Sequence, residues 1–190
     1  LASAVGVRPA LLPATDDPVM TLLDTAEGCT LEFQDYFVRR RWQPVVRRVW
    51  VRGVEQARPT ERVLAALQAA DLIVFCPSNP VLSLEPILAL PGLRETIRAR
   101  RARCVAVSPF VGGAAVKGPA AKLMAELGLD FSPRGLADFY SGLLDGLIVD
   151  VSDRDLVART GVDTLVTPTL MQTREDRRSL AEVVLEWVGL

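Results

Sequence analysis

The sequence predicts an α/β fold: a three-layer sandwich in which a mainly parallel sheet is covered by helices on both faces, with a small aromatic and basic insertion near its start. Three observations predict it. Four short β-rich runs, Leu72–Phe75, Val105–Val107, Leu147–Val149 and Thr164–Thr167, are each followed by a turn and a helical pattern. These runs are continuously apolar instead of alternating, as expected of strands buried on both faces. Finally, 190 residues that are 49% hydrophobic and 24% charged can bury well over half of their unfolded surface in one core. Residues 1–190 are therefore expected to form one α/β domain.

Taken in chain order, Leu1–Val5 reads as the end of a helix stopped by Gly6, followed by a strand at Arg8–Leu12. The chain does not open on methionine, and this beginning reads as cut, with an N-terminal segment of the parent protein expected upstream. Glu32–Val38 mixes aromatics with acids and runs into Arg39, Arg40 and Arg41; with the strand Val45–Val51 it forms the insertion beside the main sheet. Thr60 caps a helix through Val63, Leu64 and Leu67. Pro119 opens another, carrying Leu123, Met124 and Leu127, and Gly128 ends it. The last helix, Asp176–Val188, has Leu180, Val183, Val184 and Trp187 on one face, to be laid against the sheet.

Composition narrows the chemistry. A formal charge of −1, from 22 basic and 23 acidic residues, supplies no broad positive field and argues against nucleic acid as a partner. Cys29, Cys76 and Cys104 are odd in number and far apart, unlike a disulfide framework or a zinc cluster, and suit a reducing cytoplasm. No stretch approaches the roughly 20 apolar residues of a membrane span, so membrane insertion is not expected. The chain contains no histidine, which removes the commonest general base and the usual nitrogen ligand of transition metals. Carboxylates, hydroxyls, lysine, arginine, backbone amides and a hard cation such as Mg2+ remain, and these are the tools of phosphoryl transfer.

Three constellations could carry that chemistry. Cys76-Pro77-Ser78-Asn79-Pro80 follows directly on the Leu72–Phe75 strand, where open α/β sheets bind ligands; Ser78 and Asn79 can donate to an oxyanion, although two prolines around Ser-Asn also make a rigid turn with no ligand. Ser108 to Pro119 again lies between strand and helix. Its Gly112 and Gly113 permit amides to converge on an anion and Lys117 adds a full charge, the alternative being a glycine turn beside a solvated lysine. Neither the G-x-x-x-x-G-K-[ST] nor the G-x-G-x-x-G spacing is present. Last, Asp16 and Asp17 ahead of Pro18 could hold a metal or merely cap a turn, with the turn favoured. Arg39, Arg40 and Arg41 could clamp a phosphate or carboxylate, or form a solvated face.

The order of Thr15-Asp-Asp-Pro18, Phe33-Gln-Asp-Tyr-Phe-Val-Arg-Arg-Arg41, Cys76-Pro-Ser-Asn-Pro80, the Ser108–Pro119 loop, Gly142-Leu-Leu-Asp-Gly146 and Thr169-Leu-Met171 resembles the 2-phospho-L-lactate transferase family from about Arg8 to the end. The resemblance implies the C-terminal portion of a Rossmann-like enzyme, usually a homodimer, of coenzyme F-420 biosynthesis. It implies as partners the deazaflavin alcohol Fo and a guanosine-diphospho-linked lactate or enolpyruvate donor, with Mg2+ as cofactor and GMP released. Ser78, Asn79, Pro80, Ser108, Gly112, Gly113 and Lys117 would then lie by the donor phosphates or the acceptor tail, and Arg39, Arg40 and Arg41 by acidic substrate groups. Two other classes are weighed against it. A nucleotide-sugar-binding regulator would keep the glycine loops but has no use for the Phe33–Arg41 segment, and a nicotinamide oxidoreductase would need a dinucleotide fingerprint that is absent.

Overall fold

The computed structural model describes residues 6, 8–115, 118–157 and 160–190. The first third builds a small antiparallel sheet. Strands β1 (Met20–Thr25), β2 (Thr30–Glu32) and β3 (Val46–Arg52) lie in the order β2-β1-β3, with a bulge between Asp24 and Thr25. β1 is not among the expected strands: its adjacent leucines, Leu22 and Leu23, are both buried, so its apolar pattern does not alternate. Conversely, the strand expected at Arg8–Leu12 does not form. Pro9 and Pro13 cannot donate to a ladder, Leu11 is 70% exposed, and the first pairing is a single bridge from Thr15 to Pro59. The helix end expected at Leu1–Val5 lies outside the described residues.

Between β2 and β3 the aromatic segment closes into a π-helical turn, Asp35–Arg39, whose Tyr36 is wholly buried. Tyr36 joins Leu23, Leu31 and Val46 in a cluster completed by Leu82 and Leu123 from later in the chain. The insertion thus packs, as expected, against elements that flank the main sheet, through Leu82 and Leu123. Thr60 caps α1 (Glu61–Ala69), accepting the Val63 amide at 3.3 Å.

The larger sheet is the expected parallel one. Strands β4 (Leu72–Phe75), β5 (Arg103–Val107), β8 (Gly146–Val149) and β9 (Asp163–Val166) stand in that order, every pair parallel. Between β5 and β8 a two-stranded hairpin, β6 (Phe110–Val111) with β7 (Ala114–Ala115), rises from the sheet. One face of the sheet presents Ile73, Phe75, Cys104, Ala106, Leu147 and Val149 to α2 (Glu85–Leu88), α3 (Leu93–Arg98), α4 (Ala120–Glu126) and α5 (Pro133–Phe139). The opposite face presents Val105, Val107 and Ile148 to Leu180 and Val184 of α6 (Arg174–Val188). Gly128, in the left-handed region at φ +69°, follows α4 as the sequence suggests. Among the described residues no helix is long and apolar enough to cross a membrane.

Two polar ties hold distant parts together. Asp145 accepts the Cys104 amide (2.8 Å) and Arg100 Nη2 (2.7 Å), joining the starts of β5 and β8 at the end of the sheet remote from the loops described below. Lys122 of α4 donates to the Pro44 carbonyl (2.8 Å) and pairs with Glu126 (2.6 Å), whose other oxygen accepts the Val46 amide at 3.0 Å. α4 is in this way fastened to the insertion.

The fit of α6 on the sheet depends on Gly146. A Cβ there would collide with the Trp187 indole, which fills the place of a side chain. Gly146→Ala is expected to destabilise the protein by about 1–3 kcal/mol through overpacking. Denaturant unfolding should show a lower midpoint at unchanged slope.

Candidate functional site

At the carboxyl end of the parallel sheet, the loops leaving β4, β5 and β9 enclose a cavity of about 200 Å³. It is lined by Pro77 and Asn79 after β4, Ser108 and Pro109 after β5, Ala120 at the start of α4, and Thr169, Leu170 and Met171 after β9. This is where open parallel sheets place their ligands, because the loops leaving adjacent strands diverge there.

Asn79 is the most telling residue of the lining. Its Oδ1 accepts the amides of Val81 and Leu82, both at 3.0 Å, and caps the π-helical turn Pro80–Leu84. The cap fixes the amide plane, and Nδ2 is left buried with no partner. A buried amide donor without an acceptor costs about 1–3 kcal/mol, which sets this side chain apart from the rest of the cavity lining. Ser108 is buried at the end of β5; its amide donates to the Ile148 carbonyl (2.8 Å) and its Oγ accepts the Phe110 amide (3.2 Å). A hydroxyl that is already accepting keeps its proton for a second partner.

Two carboxylates behind this lining hold the loops. Asp150, directly after β8, is 3% exposed and accepts the Thr169 amide (2.8 Å), the Thr169 hydroxyl (3.1 Å) and the Ser152 amide (2.9 Å). Burial opposes its ionisation, but the hydrogen bonds from Thr169 and Ser152 together hold its carboxyl below the ordinary 3.8. Three residues on, in the 3-10 helix Val151–Leu156, Asp153 is also 3% exposed. Its Oδ1 accepts the Gly113 amide (2.7 Å) and its Oδ2 the Gly112 amide (3.0 Å).

The sequence-derived candidates therefore separate. Asn79 and Ser108 meet in one cavity. Pro80 is buried at the head of the turn that Asn79 caps, and Ser78 is half-buried beside it, its amide donating to Cys76 (2.7 Å). Gly112 and Gly113 do converge on an anion, at φ +61° and +70°, but that anion is Asp153 of the same chain, so in this conformation neither amide is free for a phosphate. Lys117 lies outside the described residues. Arg39 and Arg40 both turn back on Asp35, at 3.8 and 2.9 Å, with side chains 84% and 50% exposed. Arg40 opens onto a different cavity, with Thr25, Glu27, Cys29 and Gln43, and Arg41 is exposed. Asp17 accepts the Arg58 amide at 2.8 Å in the turn that leads to α1, and Asp16 is exposed. Among the described residues no group of three or more Cys, Asp or Glu side chains is gathered as a metal site.

Sequence reasoning missed Asp150 and Asp153, and it met Thr169 only as the first residue of the Thr169-Leu-Met171 motif. A usable signal existed for the first, an acid placed immediately after an apolar strand, which is where open sheets concentrate function. Asp153 carries no local signal, since its partners stand 41 and 40 residues away.

The fold is that of an α/β protein with a cavity beyond the carboxyl ends of a parallel sheet, the place where such sheets bind ligands. Its family is narrower than that: the sequence profile of 2-phospho-L-lactate transferase CofD matches residues 1–184, and the chain belongs to this family. It is 41% identical over 189 residues to a 2-phospho-L-lactate transferase of Methanosarcina mazei, covering 98% of this chain and 61% of that protein. A phosphoenolpyruvate transferase of Streptomyces coelicolor is 41% identical over 195 residues, covering 95% of this chain and 60% of the other. The chain thus spans about three fifths of the curated relatives it matches. A crystal structure of a upf0052 family protein from Bacillus halodurans shares the fold with a TM-score of 0.67 at 18% identity, covering 97% of this chain and 64% of that one.

Two outcomes follow from the buried carboxylates. Because the Asp150 carboxyl is lowered in the folded state, its contribution to stability is fully present above the unfolded carboxyl value and is lost as pH falls through the folded one. Asp150→Asn should therefore remove part of the stability loss seen between pH 4 and acid, while lowering stability at neutral pH; acid titrations followed by circular dichroism read both. Asp153→Ala strands the two glycine amides. A loss of roughly 1–3 kcal/mol is expected, nearer the lower end because Gly112 and Gly113 can reach water.

Proposed function

We propose that this chain carries the transfer site of an enzyme that moves a phospholactyl or phosphoenolpyruvyl group from a guanosine-diphospho-linked donor to the terminal ribityl hydroxyl of the deazaflavin Fo. The family and the printed names of the relatives support a transferase of substituted phosphate groups. The observation that carries the reading for this site is Asn79 Nδ2, a fixed buried donor without an acceptor, on the cavity that Ser108 also lines. In the reaction the ribityl oxygen attacks the phosphorus bearing the lactyl or enolpyruvyl oxygen. The bond from that phosphorus to the GMP phosphate breaks, and the hydroxyl proton leaves to the departing phosphate or to water.

Asn79 Nδ2 and the Ser108 hydroxyl donate to the phosphoryl oxygens as their charge develops. Donors fixed beforehand in a site shielded from water stabilise that charge without reorganising. The Asp150 clamp on Thr169 holds the opposite wall, so attacking and leaving oxygens are kept in line by rigid loops. Mg2+ belongs to the proposal as a counter-charge on the donor diphosphate; it commonly takes only one or two carboxylates, with phosphates and water completing its shell. Asp17 is engaged by Arg58 and neither Asp16 nor Asp17 lines the cavity, so the chemistry assigned here is that of the chain's own donors. A homodimeric assembly and a cytoplasmic location complete the reading.

The test is product detection by mass spectrometry after incubating the full-length protein with Fo, Mg2+ and each of the two donors. A phosphodiester of Fo together with GMP is expected, and the preferred donor names the substrate. Binding of Fo or GDP with no product from either donor would instead make the protein a ligand-binding regulator. Asn79→Asp keeps an oxygen to cap the turn but removes the donor, and is expected to lower transfer about 10²–10³-fold with little change in thermal stability.

A further inference from the structure

The amino end of the parallel sheet lies opposite the loops of the candidate site, and it gathers positive charge. Arg98, Arg100, Arg101 and Arg103 all line one depression of about 410 Å³ where β5, β8 and β9 begin. The other charged groups of its wall are Asp145, just before β8, and Asp163, the first residue of β9. Four guanidinium groups thus share two carboxylates, in a chain whose formal charge is −1. The C-terminus of α3 favours a cation in its last turn, which accounts for Arg98 but not for the three arginines beyond it.

Both carboxylates are already engaged. Asp145 accepts Arg100 Nη2 at 2.7 Å and the Cys104 amide at 2.8 Å, and Asp163 accepts Arg103 Nη2 at 2.8 Å. Two of the guanidinium groups are fixed by packing as well. The Arg100 side chain is only 6% exposed; its Nη1 donates to the Ile97 carbonyl (2.6 Å), and its Nε is buried without an acceptor. Arg103 Cζ stands 4.7 Å from the centroid of the Trp187 ring, a contact that steadies the guanidinium. The other two carry charge that no carboxylate of the depression meets. Arg101 is exposed and, among the described residues, makes no ion pair. Arg98 has its Nε beside Gly142 and stands 3.8 Å from Glu95 of its own helix, beyond hydrogen-bond reach.

We propose that this depression binds a phosphate dianion, either inorganic phosphate or the phosphate group of a small monoester. Arg98 and Arg101 supply the two unmet charges, and Arg100 and Arg103 the part of the wall that is fixed beforehand. Planar guanidinium forks match phosphate oxygens two at a time, which a scattered set of lysines would not do. The site goes beyond the function proposed above and does not depend on it. Arg103 opens the five-residue strand β5 and Ser108 follows its end, so at about 3.3 Å per residue the depression and the strand-end cavity stand roughly 15 Å apart. A phosphate held here is out of reach of any group reacting there.

Isothermal titration of inorganic phosphate, and separately of glycerol phosphate, into the full-length protein tests the proposal. Saturable binding of at least one is expected, and the tighter of the two identifies the source as free ion or monoester. Arg98→Ala and Arg101→Ala change exposed side chains and should leave the melting temperature almost unaltered. Each is expected to weaken binding about tenfold, the worth of one hydrogen bond to a charged group. Asn79→Asp, in the other cavity, should leave it within about twofold. Arg100 is spared as a test because its buried ties to Ile97 and Asp145 belong to the fold. Absence of saturable binding to the full-length protein overturns the site. Binding that survives both arginine changes, or that Asn79→Asp abolishes, overturns it too, since the anion then sits elsewhere.

Discussion

The turn that leaves β8 holds the site together. Its two carboxylates, Asp150 and Asp153, are three residues apart and both are withdrawn from water, yet each reaches a different neighbour: Asp150 takes the Thr169 loop after β9, and Asp153 takes the Gly112–Gly113 hairpin after β5. A parallel sheet supplies no hydrogen bonds between the loops at its strand ends, and loops so exposed would otherwise fluctuate independently. Charge-assisted bonds to amides are about twice as strong as neutral ones. One short helical turn therefore sets the relative position of both walls.

With those walls fixed, the cavity needs few groups of its own. Its described lining contains neither lysine nor arginine, and its polar character comes from an amide, two hydroxyl-bearing residues and the backbone.

The parallel sheet was legible from sequence because each of its strands is a compact apolar run bounded by turn residues, a pattern that owes nothing to distant parts of the chain. The helix starting at Thr60 and the helix ending before Gly128 were legible for the same reason. β1 was not, since Leu22 and Leu23 are adjacent and buried together; nor was the failure of the Arg8–Leu12 strand, which the flanking prolines decide. That Asn79 and Ser108 share one cavity could be anticipated because both lie in the turns that leave adjacent parallel strands. Local pattern misdirects at Gly112 and Gly113: the convergent amides are real, but their occupant, Asp153, lies about forty residues further on. Arg39 and Arg40 stay largely exposed, each within ion-pair distance of Asp35 on the same turn.

The fastening of α4 to the insertion also bears on synthesis. The Val46 amide finds its acceptor, Glu126, only 80 residues later, and Leu123 closes the apolar cluster beneath β1 and β3. At roughly 5–20 residues per second, a nascent chain displays Leu23, Leu31, Tyr36 and Val46 for several seconds before α4 has been made. The antiparallel sheet, though made before α4, is thus left with an open apolar underside until α4 has emerged.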